Sequence, residues 1–392
     1  MTRAVALVLA AALLLAACGQ TAPPTATEGA EPAANVSPTA GPATPIPDPK
    51  HEVYGFVPYW EMDDGIADHL ATTDLTTLAL FSVTHRRSGE LATNQTGYRR
   101  ITGAVGERMI REAQERGVRV EIVYSSFGET KNRRFYTEAA SQERWIAELV
   151  ALVEATGADG ANVDVEGLPA EHIPAYGAFV GRLRAALRTV DPDAQVSVAT
   201  TSGARGAAMA AAAAAAGADR IFLMGYDYHW EGSDPGATSP LDRLDGEAQD
   251  LVASLDAYAS VGVPVDRTIL GLPLYGLTWP VVGPGVGSPA TDRGSDWVPR
   301  RNLRVFEDPS FAPTYEPIES VEFYSVPGED EGTWNAVYYD SPRSLAPKLA
   351  LADARGLAGA GFWAIGYERG LAGYTELIAT FRAGELAPLG AP

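Results

Sequence analysis

From about residue 52 the chain alternates short apolar runs with longer stretches of helical periodicity. That rhythm restricts the folds open to it more than any single motif does. The strand candidates are Val53–Trp60, Thr76–Thr84, Val118–Ser126, Asp159–Leu168, Gln195–Thr201, Arg220–Asp227, Thr268–Gly276 and Gly359–Tyr367. Helical patterns cover Arg108–Gly117, Ser141–Gly157, Tyr176–Val190, Ala207–Ala216, Ala248–Ser260, Ser344–Gly356 and Ala372–Ala383. In the second of these, Ser141 reads as the N-cap with Glu143 close behind, and Gly157 as the stop. The alanine run 207–216 reads as a helix packed closely on its neighbours. Repeated βα units imply a parallel sheet. Eight of them in roughly 330 residues predict an α/β fold, a closed (β/α)8 barrel over residues 51–386. An open doubly wound sheet is the alternative. Residues 277–337 break the rhythm with Gly, Pro, aromatics and strand-like pieces such as SVEFYSV and WNAVYYD. They are expected to form a small α+β or β-rich insertion between the seventh and eighth barrel strands.

The N-terminus has a different character. MTRAVALVLAAALLLAACGQ carries one cation, Arg3, and then an apolar run too short for an ordinary transmembrane helix. Residues 1–17 therefore read as a secretory signal. The ending Leu15-Ala16-Ala17-Cys18 resembles the lipobox of bacterial lipoproteins, which implies a lipid attached to Cys18. The alternative is an uncleaved anchor helix with a chance cysteine. Cys18 is the only cysteine, so no intramolecular disulfide can form in an exported chain. Residues 18–50, rich in Pro, Ala and Thr, lack the large apolar side chains needed for a core and read as a semi-extended tether. The expected location is exported and membrane-anchored, facing the periplasm or the cell exterior. The formal net charge of −20 repels phosphate backbones, which makes nucleic acid a poor partner, and it leaves a neutral polysaccharide unhindered.

The most informative strand is DGANVDVEGL, Asp159–Leu168. Side chains alternate along a strand, so Asn162, Asp164 and Glu166 share one face and Ala161, Val163 and Val165 the other. In a barrel the polar face is the interior, where carboxylates are costly unless hydrogen-bonded or partly protonated. Two acids side by side repel, which raises at least one pKa and lets a Glu stay protonated as a general acid. The plainer reading is an ion pair with an inward cation, for which only Arg119 and the edge residue Arg220 lie in the strands.

These residues resemble the DGxDxDxE signature of glycoside hydrolase family 18, the chitinase-like barrels. Met224–Trp230, MGYDYHW, is similar to that family's sixth-strand Met-x-Tyr-Asp, and Gly361–Glu368, GFWAIGYE, to its eighth-strand Trp segment. The segments YDYHWEGSDPGATSPL and YYDSPRSLAPKLALA look like the bacterial branch of spore-cortex and peptidoglycan-acting N-acetylglucosaminidases. The resemblance covers Val53 to Phe381. It implies that Glu166 is the general acid and then the base. Asp164 would orient the substrate acetamide, and Tyr226 would donate to its oxygen. Trp363 would form the floor under the sugar, with Phe56, Met224 and Asp227 as further contacts. It implies no cofactor and no metal. The one departure is Asn162, where the signature has Asp. Its amide is expected to donate to Asp164, hold that residue ionised and alter the pH profile.

Other signals are weaker. The Gly-rich Val281–Pro289 lacks the strand-then-helix context of a nucleotide loop and reads as an insertion loop. The five histidines show no metal-ligand spacing. His229 reads equally as a sugar contact or as a plain surface residue. No GxSxG elbow occurs. Two further functions stay open beside a retaining glycosidase on GlcNAc-containing glycans. One is a non-catalytic sugar-binding lectin on the same barrel, against which the intact acid argues. The other is a metal enzyme with Asn162, Asp164 and Glu166 as oxygen ligands. Chitin and peptidoglycan share the required 2-acetamido sugar, and the expected lipid anchor tilts the choice toward peptidoglycan or imported GlcNAc oligomers.

Overall fold

The computed structural model describes residues 49–387. The expected signal segment 1–17, Cys18 and the tether up to residue 48 lie outside the described residues.

Eight parallel strands close into a barrel in the order β1-β13-β7-β6-β5-β4-β3-β2. They are β1 (Glu52–Pro58), β2 (Thr77–Val83), β3 (Arg119–Phe127), β4 (Gly160–Glu166), β5 (Gln195–Thr201), β6 (Arg220–Met224), β7 (Thr268–Pro273) and β13 (Gly359–Trp363). All eight expected strands form. Six stop earlier than their apolar runs suggest, and three of them by three residues or more: β6 at Met224, β7 at Pro273 and β13 at Trp363. After β6 the chain swings away through Asp227, whose φ of 62° is unusual for a residue with a side chain.

The alternation along each strand divides the buried residues into two cores. Ala161, Val163 and Val165 face outward into the annulus between strands and helices, with Trp145, Leu149, Phe179 and Leu183. The barrel interior holds Tyr54, Phe56, Phe81, Val123, Phe222 and Ile269. Phe222 fits because Gly271 and Gly361 lie paired in register beside it. A Cβ on either glycine would come within 2.2 or 2.6 Å of the Phe222 ring.

The alanine run forms the helix Ala204–Ala215, with Ala207, Ala210 and Ala213 buried. A Cβ on Gly177 would meet the Ala212 carbonyl at 3.0 Å, so small residues on both sides permit the close helix contact expected from sequence. The helix assigned to Ser141–Gly157 begins earlier, at Ala139, with Glu138 as its N-cap. Ser141 is buried inside the first turn and its hydroxyl donates to Glu138 Oε2 at 3.1 Å. The stop at Gly157 holds, in the left-handed conformation at φ 68°. The helix read from Ser344 starts at Pro342, where Ser341 caps it and Ser344 completes a capping box.

The insertion is a five-stranded antiparallel sheet in the order β10-β11-β12-β8-β9. Its strands are β8 (Gly276–Val281), β9 (Ser295–Trp297), β10 (Thr314–Glu316), β11 (Val321–Pro327) and β12 (Trp334–Tyr339). One face buries Leu277, Trp279, Phe323 and Tyr338. It therefore has its own small core, built from the aromatics that made the segment stand out in the sequence.

Candidate active site

A cavity of about 640 Å³ opens at the C-terminal ends of the barrel strands. Its walls include Phe56 from β1, Asp164 and Glu166 from β4, Met224, Tyr226 and Asp227 from the end of β6 and just beyond, and Trp363 from β13. Seven of the residues expected at the site are thereby brought together from four strands far apart in sequence. Phe56 is buried, and Trp363 stacks tilted or edge-on against Phe56, Trp60 and Phe81 at ring-centroid distances of 5.7, 6.2 and 4.8 Å. This apolar floor is framed by aromatic edges, a surface suited to sugar C–H groups.

Asn162 does not join them. It is fully buried below the cavity and is not part of its wall. Its Nδ2 donates to Ser197 Oγ at 2.7 Å, so the expected bond to Asp164 is not made. The reason is register: Asn162 on β4 sits opposite Ser197 on β5, and the shorter reach wins. Below it, Ser197 and Tyr54 both donate toward Glu121 Oε2, with Tyr54 Oη at 2.6 Å. Glu121 is fully buried on β3, and burial pushes its carboxyl up to about 7 against those two hydrogen bonds.

The carboxylates at the cavity have no cation. Arg220 is occupied by Glu52, and Arg119 donates to the backbone carbonyls of Asp159 and Asp193. Among the described residues, neither Asp164 nor Glu166 forms an ion pair, so the inward ion-pair reading fails. Burial, and then the charge of Glu166, push Asp164 well above the ordinary carboxylate range. This overturns the expectation of an Asp164 held ionised by Asn162. Its Oδ1 is buried without a hydrogen-bond partner. Glu166 is raised by burial and by the charge of Asp227. Asp227 is raised by burial, although Tyr275 and Thr238 donate to its Oδ1 and act in the opposite direction. The Tyr226 phenol is pushed further up by burial, then by Asp164, Asp227 and Glu166, so it remains a donor at any ordinary pH. The site gathers three acids, each shifted upward by burial, around one phenol.

His229 is neither a sugar contact nor a surface residue. It is buried away from this cavity, with Nδ1 against the Asp234 carbonyl at 2.8 Å and Nε2 3.6 Å from Glu319 of the insertion. Among the described residues, no group of three or more His, Cys, Asp or Glu side chains is arranged to hold a metal ion.

Several residues that shape the site were not singled out in the sequence. Trp60 and Phe127 line the cavity and stay about half exposed, and Tyr275 orients Asp227. Asn132, fully buried on the helix Glu129–Thr137, donates to the carbonyl of Glu166 at 2.6 Å. Phe127 had a readable signal, an aromatic at the C-terminal end of a barrel strand. Asn132 had none.

Comparison with known proteins gives a family and a fold. The family model described as Glycosyl hydrolases family 18 matches residues 52–368. The chain is 25% identical over 241 residues to Di-N-acetylchitobiase of Rattus norvegicus, covering 56% of this chain and 64% of the relative. It is 23% identical over 302 residues to the Cortical fragment-lytic enzyme of Bacillus subtilis (strain 168), covering 76% and 66%. In both cases the match takes in less than two thirds of the relative's own length. A solved structure of a GH18 chitinase from Cycas revoluta, in complex with (GlcNAc)3, shares the fold at a TM-score of 0.67 and 17% identity, covering 86% of this chain and 100% of that one.

Proposed function

The chain belongs to glycosyl hydrolases family 18, and on that premise we propose that it hydrolyses β-1,4-linked GlcNAc-containing glycans by a retaining, substrate-assisted route. The observation that carries the reading is the convergence of Asp164, Glu166, Tyr226 and Asp227 on one cavity floored by Trp363, with no cation among the described residues paired to Asp164 or Glu166. Glu166 holds its proton above the usual carboxylate range, which suits a general acid. It protonates the glycosidic oxygen as the bond to the anomeric carbon breaks. The substrate's own acetamido oxygen then bonds to that carbon, an exception to the two-carboxylate scheme. Asp164, in the cavity wall, accepts the acetamide N–H. Tyr226 donates to the acetamido oxygen, where negative charge is drawn toward the anomeric carbon. Glu166, now a carboxylate, takes the proton of the attacking water, which opens the oxazolinium ring and returns the original anomeric configuration.

The proposed substrate is peptidoglycan in preference to chitin. Its support is the likeness to the cortical fragment-lytic enzyme together with an expected lipid at Cys18 that would hold the domain against its own envelope. Loss of palmitate labelling in Cys18→Ser tests that anchor.

The test of the hydrolysis is incubation with chitin oligomers and with purified peptidoglycan, products read by mass spectrometry and the first-formed anomer by NMR. Glu166→Gln should lose nearly all turnover and still bind. Wild-type turnover in that variant refutes the acid assignment. Indifference to a thiazoline analogue of the intermediate refutes acetamide participation.

A further inference from the structure

Beside the catalytic cavity lies a second concavity of about 390 Å³, lined by His85, Arg87, Thr130, Lys131, Arg134 and Phe135. Its charge runs against that of the chain, whose net is −20. Among the described residues Arg87 and Lys131 form no ion pair, while Arg134 pairs with Glu138 at 3.0 Å. Lys131 is half-buried, and among the described residues its one polar bond is a donation to Thr84 Oγ1 at 2.7 Å. Burial lowers its pKa, with no carboxylate to offset that cost. His85 is pushed down to about 4 by burial and by the charges of Lys131 and Arg134, so it adds a neutral imidazole at physiological pH. Two uncompensated cations at one concavity, one of them half-buried, make a ready acceptor for an anion.

The position of this pocket says which anion. Thr84, which accepts from Lys131, lines the catalytic cavity, so one hydrogen bond joins a wall of each cavity. Phe127 stands in register with Glu166 across β3 and β4, and Lys131 follows it in the next turn of chain. Tyr226 and Asp227 lie beyond β6, on the opposite side of β4. Glu166 thus stands between the acetamide-binding side and the Phe127 side. If Glu166 delivers its proton to the glycosidic oxygen, the departing sugar rests on the Phe127 side, next to the cations.

We propose that Arg87, Lys131 and Arg134 bind a carboxylate carried by the leaving-group sugar, as on the 3-O-lactyl ether of N-acetylmuramic acid. A chitin unit, uncharged, offers these groups nothing. The pocket therefore selects an acidic glycan over a neutral one with the same linkage. The inference rests on the hydrolase reading and deepens it by assigning residues that recognise the leaving-group sugar.

The experiment uses GlcNAc–MurNAc oligosaccharides with the lactyl carboxylate free, the same oligosaccharides methyl-esterified, and chitin oligomers. The wild type should show a kcat/KM about tenfold higher on the free acid than on the ester, a difference that shrinks as salt is added. In Arg87→Ala and in Arg87→Ala/Lys131→Gln the ratio should fall stepwise toward one, through KM. Arg87 is exposed, so its single variant tests the pocket without disturbing the fold. Equal rates on acid and ester in the wild type, or a preference retained in the double variant, overturn the pocket while leaving hydrolysis standing. No cleavage of any of the three substrates removes the hydrolase reading and the pocket with it.

Discussion

The side-chain amide of Asn132 donates to the backbone carbonyl of Glu166 at 2.6 Å. The same amide reaches the Ser126 carbonyl at 3.1 Å, and Ser126 Oγ donates back to Asn132 Oδ1 at 2.6 Å. One buried side chain thus ties the end of β3 to the end of β4, where the acid emerges. Asn132→Leu removes the tie. We expect kcat to fall about tenfold with a smaller change in KM, and stability to fall by about 1–3 kcal/mol for the buried groups left unpaired. Steady-state kinetics and denaturant melts check this, and an unaltered kcat would show that the strand end is held without Asn132.

Asp227 helps keep the proton on Glu166. After burial, its charge is the cause that raises the Glu166 pKa. Removing a neighbouring negative charge makes the carboxylate easier to form, so the pKa drops. Asp227→Asn should therefore move the alkaline limb of the kcat/KM profile to lower pH. A limb that stays put, whatever the height of the profile, shows that another group governs it.

Among the described residues the Tyr226 phenol has no hydrogen-bond partner that its loss would strand, yet it faces the acids from the cavity wall. Tyr226→Phe should lower kcat/KM by about a hundredfold, the scale of one preorganised donor lost at developing charge. Its melting temperature should stay near that of the wild type. A fall in stability equal to the fall in rate would make the role structural.

Glu121 makes folding pH-dependent. Its carboxyl is raised from 4.5 to about 7 in the folded chain, chiefly by burial. Between those values the native state binds the proton more tightly than the unfolded chain, so stability is full below about 4.5 and is lost as pH rises through about 7. The loss amounts to up to about 3 kcal/mol for one group. Glu121→Gln should flatten that slope in urea melts taken from pH 4.5 to 8. Parallel curves for variant and wild type would show that Glu121 does not carry it.

The barrel was legible because its signal is local and repeated. Each strand's apolar alternation declares a buried face, and eight such runs with helices between them leave few topologies. The insertion was legible by contrast, since Gly, Pro and aromatics cannot continue the βα rhythm. Element ends were less so. Ser141 has the right chemistry for a cap, yet the chain is already helical at Ala139 and the serine turns inward. The cap is decided by where the preceding helix, Glu129–Thr137, delivers the chain.

By itself the sequence determined which residues of β4 point inward, and hence that Asp164 and Glu166 share the barrel's interior face. That follows from the two-residue period of a strand, a property of the backbone alone. The tertiary structure decided what each of them touches. Asn162 bonds Ser197 because strand register places those two opposite each other, and His229 is buried because the insertion folds back over it. Arg87 and Lys131 share a pocket because β2 and β3 lie side by side in a closed sheet. Contacts of this kind depend on distances across the barrel, and chain closure sets those distances only once all eight strands are in place.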